Sequence, residues 1–423
     1  MSPETGNIHK STILAEAEMI SQELTGVQYE AAAAFEHVMA ERLSNSRERF
    51  DDQLATPVDQ STAVDTNNVE PIPVITPAML EAVLPLTQES LDTTVKARNA
   101  IGDILTGKSD RLLVVVGPCS IHDPESAIAY AHEVKKMREE YGEYLEIVMR
   151  FYPEKPRTEL GWKGLIYDPR LDQSNDINLG VTLSRLLACQ ITNMGVPIAM
   201  ERLNAYTPQY FNGLVAYDAI GARNTTDQKA REYASGTSSP VGFKNTPEGS
   251  VKAATEAVKV ANAPHVFLGI NTNGLPMQVQ TTGNNLAHVI LRGDQQGPNY
   301  SPEHLEKCLQ RLQAKELLNA IVIDASHGNN IAINPITDEK DPVGQIEVIK
   351  DVSKQKMLGQ VAICGVMIES NLLAGKQEFT AGETDISQLE PGLSITDAGV
   401  GVPDTKRMLG LLQGAVIVRH TLE

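Results

Sequence analysis

The sequence predicts an α/β fold: a (β/α)8 TIM barrel with an N-terminal helical extension and an inserted β element. Three observations predict it. Eight short apolar runs alternate with amphipathic helical stretches from Leu112 onward. A polar, mostly ionisable residue stands just after each of those runs. The first 64 residues read differently, as helix and polar linker.

Residues 13–24 and 29–43 carry apolar side chains at roughly helical spacing, with an alanine-rich stretch at Ala31–Ala34. Ser44–Asn68 is rich in Asp, Gln, Thr and Asn and reads as a flexible linker. The division is therefore residues 1–64 as extension and linker and residues 65–423 as the barrel domain. Thr76-Pro77 opens an amphipathic helix running through Leu84, with a capping oxygen followed by a residue that has no N–H to satisfy. A further helix spans about Leu91 to Leu105. The eight apolar runs are Leu112–Val116, Leu145–Phe151, Pro197–Met200, Ala219–Ala222, Val241–Phe243, His288–Leu291, Ile321–Ile323 and Ile363–Met367. Helices such as Pro124–Glu140, Val181–Met194, Glu248–Ala261 and Pro302–Lys315 lie between them, the pattern of a parallel barrel. A ninth run, His265–Ile270, followed by Gln278–Thr281, reads as an inserted β element. Because it spoils the count, a doubly wound open sheet stays the alternative.

The bulk numbers narrow the function. Hydrophobic residues make up 41% and charged residues 21%, a globular composition. No apolar run approaches a membrane span, and the start lacks the basic-then-apolar pattern of a secretion signal. Cys119, Cys189, Cys308 and Cys364 are scattered without a CxxC pair, which argues against a disulfide framework or zinc knuckle and for a reducing cytoplasm. A net charge of −18 argues against nucleic-acid binding.

In a parallel barrel, catalytic groups gather at the carboxyl ends of the strands. Here those positions hold Cys119, Arg150, Glu201, Arg223, Lys244, Arg292, Asp324 with His327, and Glu369. Any one of them alone reads best as a solvated or ion-paired strand end; the set reads as a site. Arg150, Lys155, Arg223, Lys244 and Arg292 are cations, and five facing one mouth repel unless anions sit among them. Arginine forks match carboxylate and phosphate oxygens, while lysine acts as a point charge, so a substrate bearing both groups fits. Cys119, His327, Glu369 and Asp397 form a donor set of mixed softness suited to Mn, Fe, Co or Zn. No spacing motif supports that set, and Cys119 reads equally as a buried thiol and His327 as a capping or core histidine.

These residues stand in longer stretches: Val115–Pro124, Glu154–Thr158 with Gly161–Leu165, Gly221-Ala222-Arg223, Pro240–Asn245, His288–Gly293, Ile323-Asp324 with Ser326-His327, Gly365–Ser370 and Ser394–Ala398. From about Glu70 to the C-terminus, in unbroken order, they resemble the type I 3-deoxy-D-arabino-heptulosonate 7-phosphate (DAHP) synthases of enteric bacteria and fungi. The resemblance implies a metal-dependent condensation of phosphoenolpyruvate with erythrose 4-phosphate at the entry to the shikimate pathway. Carried over residue by residue, it implies Cys119, His327, Glu369 and Asp397 as metal ligands. Arg150, Lys155, Glu201, Arg223, Lys244 and Arg292 fall on the phosphoenolpyruvate site, and Lys155, Pro156, Arg157 and Thr158 on the loop for the aldose phosphate. Lys155 lies between the two phosphate sites, suited to a proton relay or to a purely electrostatic role. Cys119, His327 and Lys155 are the catalytic candidates.

The chain departs from the family pattern in several places. Glu-Phe-Leu-Asp becomes Glu201-Arg202-Leu203-Asn204, and Ser-His-Ala-Asn becomes Ser326-His327-Gly328-Asn329. The departures leave open another aldose phosphate, such as arabinose 5-phosphate, and a silent regulatory paralogue. The family also implies a homodimer or homotetramer and an aromatic amino acid effector bound near Asn204, Pro208, Gln209, Phe267 and Gly269. Gly269 stands where other members carry Ser, which implies extra room and a preference for tyrosine or, equally, a residue of the inserted β element that avoids a clash, while Asn204 removes a carboxylate that an amino group would meet.

Overall fold

The computed structural model describes residues 12–50, 67–69, 71–336 and 338–422. Among the described residues ten strands run in chain order: β1 Leu112–Gly117, β2 Leu145–Arg150, β3 Ile198–Glu201, β4 Val215–Ile220, β5 Val241–Lys244, β6 Val266–Ile270, β7 Pro276–Gln280, β8 His288–Leu291, β9 Ile321–Asp324 and β10 Ile363–Glu369. Eight of them close a parallel barrel in the order β1-β10-β9-β8-β5-β4-β3-β2. Strands covered on both faces must be apolar throughout, which is why β1 reads Leu-Leu-Val-Val-Val and every residue of it is buried. β6 and β7 pair antiparallel in a sheet of their own, with Val266 and Leu268 exposed. The ninth run thus stands outside the barrel, and the open-sheet alternative falls.

The helices used below are α1 Thr12–Phe50, α2 Pro77–Val83, α3 Gln88–Leu105, α4 Pro124–Tyr141, α5 Ile177–Asn193, α6 Gln228–Ser235, α7 Val251–Ala261, α8 Pro302–Gln313, α9 Gln345–Met357 and α10 Val402–Leu422. Their starts follow from capping. Thr76 accepts from the Met79 N–H at 3.2 Å with Pro77 at the first position. Asp123 accepts from the Glu125 and Ser126 N–H groups ahead of α4, and Asp176 caps α5. Each cap satisfies a donor that has no partner within the helix.

Two expectations need correction. The fourth strand is Val215–Ile220 and not Ala219–Ala222. Tyr217 and Asp218 break the apolar run, yet both are buried because each has a partner: the Tyr217 hydroxyl lies 2.9 Å from His288 Nε2, and Asp218 pairs with Arg202 at 3.0 Å. The N-terminal segment is one continuous helix, and the polar stretch from Ser44 stays helical to Phe50; the linker at 51–66 lies outside the described residues. The first half of α1 packs against α5 through buried Ala17, Ser21 and Leu24, and Glu18 pairs with Arg170 at 3.1 Å. Burying a leucine such as Leu24 contributes about 1.5–3 kcal/mol. Among the described residues no helix is long and apolar enough to cross a membrane.

Candidate active site

Strand register brings the polar ends level. Gly117 pairs with Glu369, Arg150 with Ala199, Glu201 with Ala219, Lys244 with Ile290 and Asp324 with Met367. The barrel therefore opens at its carboxyl end into a cavity of about 920 Å³. Its wall includes all but one of the residues expected to bind metal or substrate: Arg150, Lys155, Pro156, Arg157, Thr158, Glu201, Arg223, Lys244, Arg292, His327, Glu369 and Asp397. The remaining one, Cys119, is buried within hydrogen-bond reach of Lys155 and Asp397.

Cys119, Glu369 and Asp397 offer one thiol sulfur and two carboxylate oxygens, all within 4.8 Å of one another. Lys155 Nζ sits among them, 2.6 Å from Cys119 Sγ and 3.1 Å from Asp397 Oδ2. The cluster thus already attracts a cation, as a metal site of these donors must, and the residues present fit a divalent metal. Burial and the nearby Glu369 carboxylate push the Cys119 thiol up to about 12. Burial alone would lower Lys155, but Cys119 and Asp397 hold its ammonium above the usual range, and Lys155 in turn lowers Asp397. His327 lines the same cavity but is not part of the three-atom cluster; its Nδ1 stands 3.0 Å from Asp324 Oδ2. It holds φ at +50°, a left-handed conformation costing a non-glycine residue roughly 1–2 kcal/mol.

Around the cluster the cations are fixed by carboxylates at strand ends. Arg150 Nη2 donates to Glu369 Oε1 at 3.2 Å with both side chains 2% exposed, and its guanidinium lies 4.2 Å over the Tyr152 ring. Arg150 Nη1 and the Tyr152 hydroxyl are buried donors with no partner among the described residues. Such orphans mark where a ligand acceptor belongs. Lys244 Nζ lies 2.9 Å from buried Asp324 Oδ2. Neither Lys244 nor His327 meets Asp324 Oδ2 along a hydrogen-bond axis, so the Lys244 contact acts through charge. Although burial raises it, Asp324 is held well below the usual carboxylate range by His327 and Lys244. Arg223 donates to Thr158 at 2.8 Å, tying the end of β4 to the loop that carries Pro156, Arg157 and Thr158. That loop turns at Gly164, φ +114°, where a Cβ would stand 2.3 Å from the Pro153 carbonyl. Glu201 rests on Gly221, whose missing Cβ would lie 2.0 Å from Oε1.

Sequence reasoning missed the groups that hold Glu369 in place. Ser326 donates to Glu369 Oε2 at 2.7 Å, and Gln345 clamps the Glu369 backbone with two bonds of 2.9 Å. Ser326 sits beside His327 in a quoted motif and was within reach of the reading; Gln345 lies at the start of α9 with no signal. Lys340 and Lys376, both in the cavity wall, were also missed.

A second cavity of about 470 Å³ lies beneath the β6–β7 sheet and takes in Pro208, Gln209, Phe267 and Gly269. Asn204 is not in its wall but donates to Glu154 Oε1 at 3.0 Å, as do Thr207 and Tyr167. Glu154 does line it, and burial raises this carboxyl to about 6 against those three donors. The expected extra room at Gly269 is absent: Val279 Cγ2 stands 2.7 Å from where a Cβ would be and fills the space.

A parallel barrel whose mouth combines a thiol–carboxylate cluster with a cradle of arginines and lysines has the donors a divalent metal needs and the cations that phosphorylated substrates need. The comparisons with known proteins name the class more closely. The sequence model of the DAHP synthetase I family matches residues 84–409. The Phe-sensitive phospho-2-dehydro-3-deoxyheptonate aldolase of Escherichia coli K12 is 45% identical over 347 residues, covering 82% of this chain and 95% of that protein. The Tyr-sensitive protein of the same organism is 43% identical over 336 residues, covering 79% and 91%. A solved structure of the phospho-2-dehydro-3-deoxyheptonate aldolase from Francisella tularensis SCHU S4 superposes with a TM-score of 0.78 at 43% identity, covering 83% of this chain and 99% of that one. The chain belongs to the DAHP synthetase I family, whose members condense phosphoenolpyruvate with erythrose 4-phosphate in the first step of the shikimate pathway. It is an enzyme of that reaction, and the family is metal-dependent.

Proposed function

We propose that this chain performs the condensation in the cavity at the barrel mouth, with its metal held by Cys119, Glu369 and Asp397 and joined by His327. The observation that carries this is the meeting of that donor cluster with Arg150, Lys155, Arg157, Arg223, Lys244 and Arg292 in one cavity. Bound there, a divalent ion of the Mn, Co, Fe or Zn type supplies a Lewis acid for the aldehyde oxygen. Arg150, Arg223, Lys244 and Arg292 bind the carboxylate and phosphate of phosphoenolpyruvate, and Glu201 closes the wall beside them. They hold its C3 toward the aldehyde, so that the encounter of two substrates becomes a positioned step. Pro156, Arg157 and Thr158 receive the phosphate of erythrose 4-phosphate. C3 bonds to the aldehyde carbon, the aldehyde oxygen takes a proton, water adds at C2, and the C2–O bond to phosphate breaks. Lys155, between the phosphate sites, carries the proton or steadies the charge.

The second cavity is the proposed site for an aromatic amino acid, as the Phe- and Tyr-sensitive relatives suggest. Val279 fills the space at Gly269, so the glycine itself supplies no room for a larger ring. We place the enzyme in the cytoplasm, as a homodimer or homotetramer, with residues 1–64 as an extension of the 65–423 synthase domain; the family match falls wholly inside the latter.

The test is phosphate release from phosphoenolpyruvate with erythrose 4-phosphate, arabinose 5-phosphate and other aldose phosphates, with and without chelator. Turnover with erythrose 4-phosphate that stops on chelation and returns with Mn or Co is expected. Turnover unaffected by full metal removal overturns the metal assignment, and a preference for arabinose 5-phosphate overturns the aldose.

A further inference from the structure

We propose that Lys340, carried on a small hairpin between β9 and α9, is a further substrate-binding residue that joins Arg292 on the phosphate of phosphoenolpyruvate. The proposal rests on the reading of the cavity given above. The hairpin is built by its own backbone: Asp341 N donates to Ala332 O at 2.9 Å and Asn334 N to Glu339 O at 2.7 Å. It folds over the carboxyl end of the barrel, so that Glu339 and Lys340 line the catalytic cavity together with Arg292, His327 and Asp397. The Lys340 ammonium donates to the His327 carbonyl. Glu339 pairs at 3.0 Å with Lys376 of the loop after β10, which ties the hairpin across the mouth.

Charge decides what such a lysine is for. Among the described residues, Lys340 and Arg292 each lack an ion pair with a carboxylate. Arg292 acts on the Lys340 ammonium as a like charge in the same cavity wall, and the Glu369, Asp324 and Asp397 carboxylates act on it as opposite charges. Two neighbouring cations without a carboxylate partner of their own form a subsite for a doubly charged oxyanion, with arginine giving the planar fork and lysine the point charge. Lys155, Arg157 and Thr158 line the same cavity from a different loop, so the two KM values separate the phosphate that Lys340 meets from the aldose phosphate.

The experiment compares the full-length metal-loaded protein with Lys340→Ala and Lys340→Arg, reading KM for each substrate and the inhibition constant of inorganic phosphate against phosphoenolpyruvate. For Lys340→Ala, both KM for phosphoenolpyruvate and the phosphate constant should rise about ten-fold or more, as loss of a charge-assisted contact implies. KM for erythrose 4-phosphate should move less than about two-fold, and Lys340→Arg should recover most of the loss. Glu339→Gln, which loosens the tie, should shift the same two constants in the same direction by less. Unchanged constants in a Lys340→Ala protein with the parent's thermal midpoint overturn the proposal, and so does an equal rise for both substrates. Should Lys340→Ala not fold, Lys340→Met is read by the same criteria. A parent protein that fails to saturate with phosphoenolpyruvate would instead overturn the underlying site reading, a separate outcome.

Discussion

Replacing Asp324 by Asn tests the reasoning where it is most exposed. The carboxylate is fully buried and lies 2.9 Å from Lys244 and 3.0 Å from His327. Asn keeps the shape and removes the charge. The Lys244 side chain, 6% exposed, then keeps its ammonium in the wall with no counter-charge beside it. Breaking one side of a buried pair costs about 3–5 kcal/mol, because the remaining charge is left uncompensated. Unfolding by urea, followed by far-ultraviolet circular dichroism, should show a loss of that order. The pair also sets where two cavity groups point, so kcat/KM should fall about ten- to hundred-fold, as expected for one misplaced charged contact. A double-mutant cycle with Lys244→Met separates the pair from its surroundings, and the double variant should be more stable than the sum of the single losses by about 1–3 kcal/mol. Stability of Asp324→Asn within about 1 kcal/mol of the parent, with effects that simply add, would refute the account of a charge pair organising this wall.

Three further outcomes follow from the geometry. Because the Cys119 thiol is pushed up to about 12, metal uptake must expel its proton, and apparent affinity should rise about ten-fold per pH unit below that value; chelator competition from pH 6.5 to 8.5 checks this, and Cys119→Ala should lose both the slope and the metal. Arg157→Ala should raise KM for the aldose phosphate more than for phosphoenolpyruvate, and Arg292→Ala the reverse, each by about 1.5–3 kcal/mol; equal shifts in both constants would show that the cradle is not divided as drawn. Glu154 has its carboxyl raised from 4.5 to about 6, so its contribution to stability is complete below 4.5 and is lost as pH rises through 6. The shift, 6 minus 4.5, is worth about 2 kcal/mol, and Glu154→Gln, which keeps an acceptor oxygen, should be less pH-sensitive than the parent by that amount between pH 4 and pH 7.5 in paired denaturation curves.

What was legible in the sequence was what one strand or one helix dictates alone. A strand buried on both faces must be apolar, so β1, β2 and β10 announced themselves, and Asp123-Pro124 announced α4 because a cap and a proline are local devices. β4 was misplaced because Tyr217 and Asp218 look like the end of a strand until His288 and Arg202 are brought to them by distant segments. The break expected near Ser44 rested on polarity alone, and a solvated helix face is polar too. The space expected at Gly269 failed for a similar reason: a missing side chain leaves room only if no neighbour takes it, and Val279 does. Gly328 shows the opposite case. A Cβ there would stand 2.4 Å from Asp294 N, so in this chain the departure lets the loops after β8 and β9 meet.

Five cations at one mouth require anions, but the protein itself supplies three of them: Glu369 for Arg150, Asp397 for Lys155 and Asp324 for Lys244. Among the described residues, Arg157, Arg223 and Arg292 are left without an ion pair, and Lys340 with them. The paired cations are those in or beside the donor cluster, where an uncompensated buried charge would be destabilising before any substrate arrives. The unpaired ones belong to later, more open parts of the mouth, where water screens them until an oxyanion displaces it. The two substrates bring two phosphates and one carboxylate. In the proposed assignment the unpaired groups divide between them, Arg157 with the aldose phosphate and Arg292 with Lys340 on that of phosphoenolpyruvate, leaving Arg223, tethered to Thr158, between the two. A site arranged this way is stable when empty and still strongly attractive to its substrates, since the charges that stabilise the fold are not those that wait for the ligand.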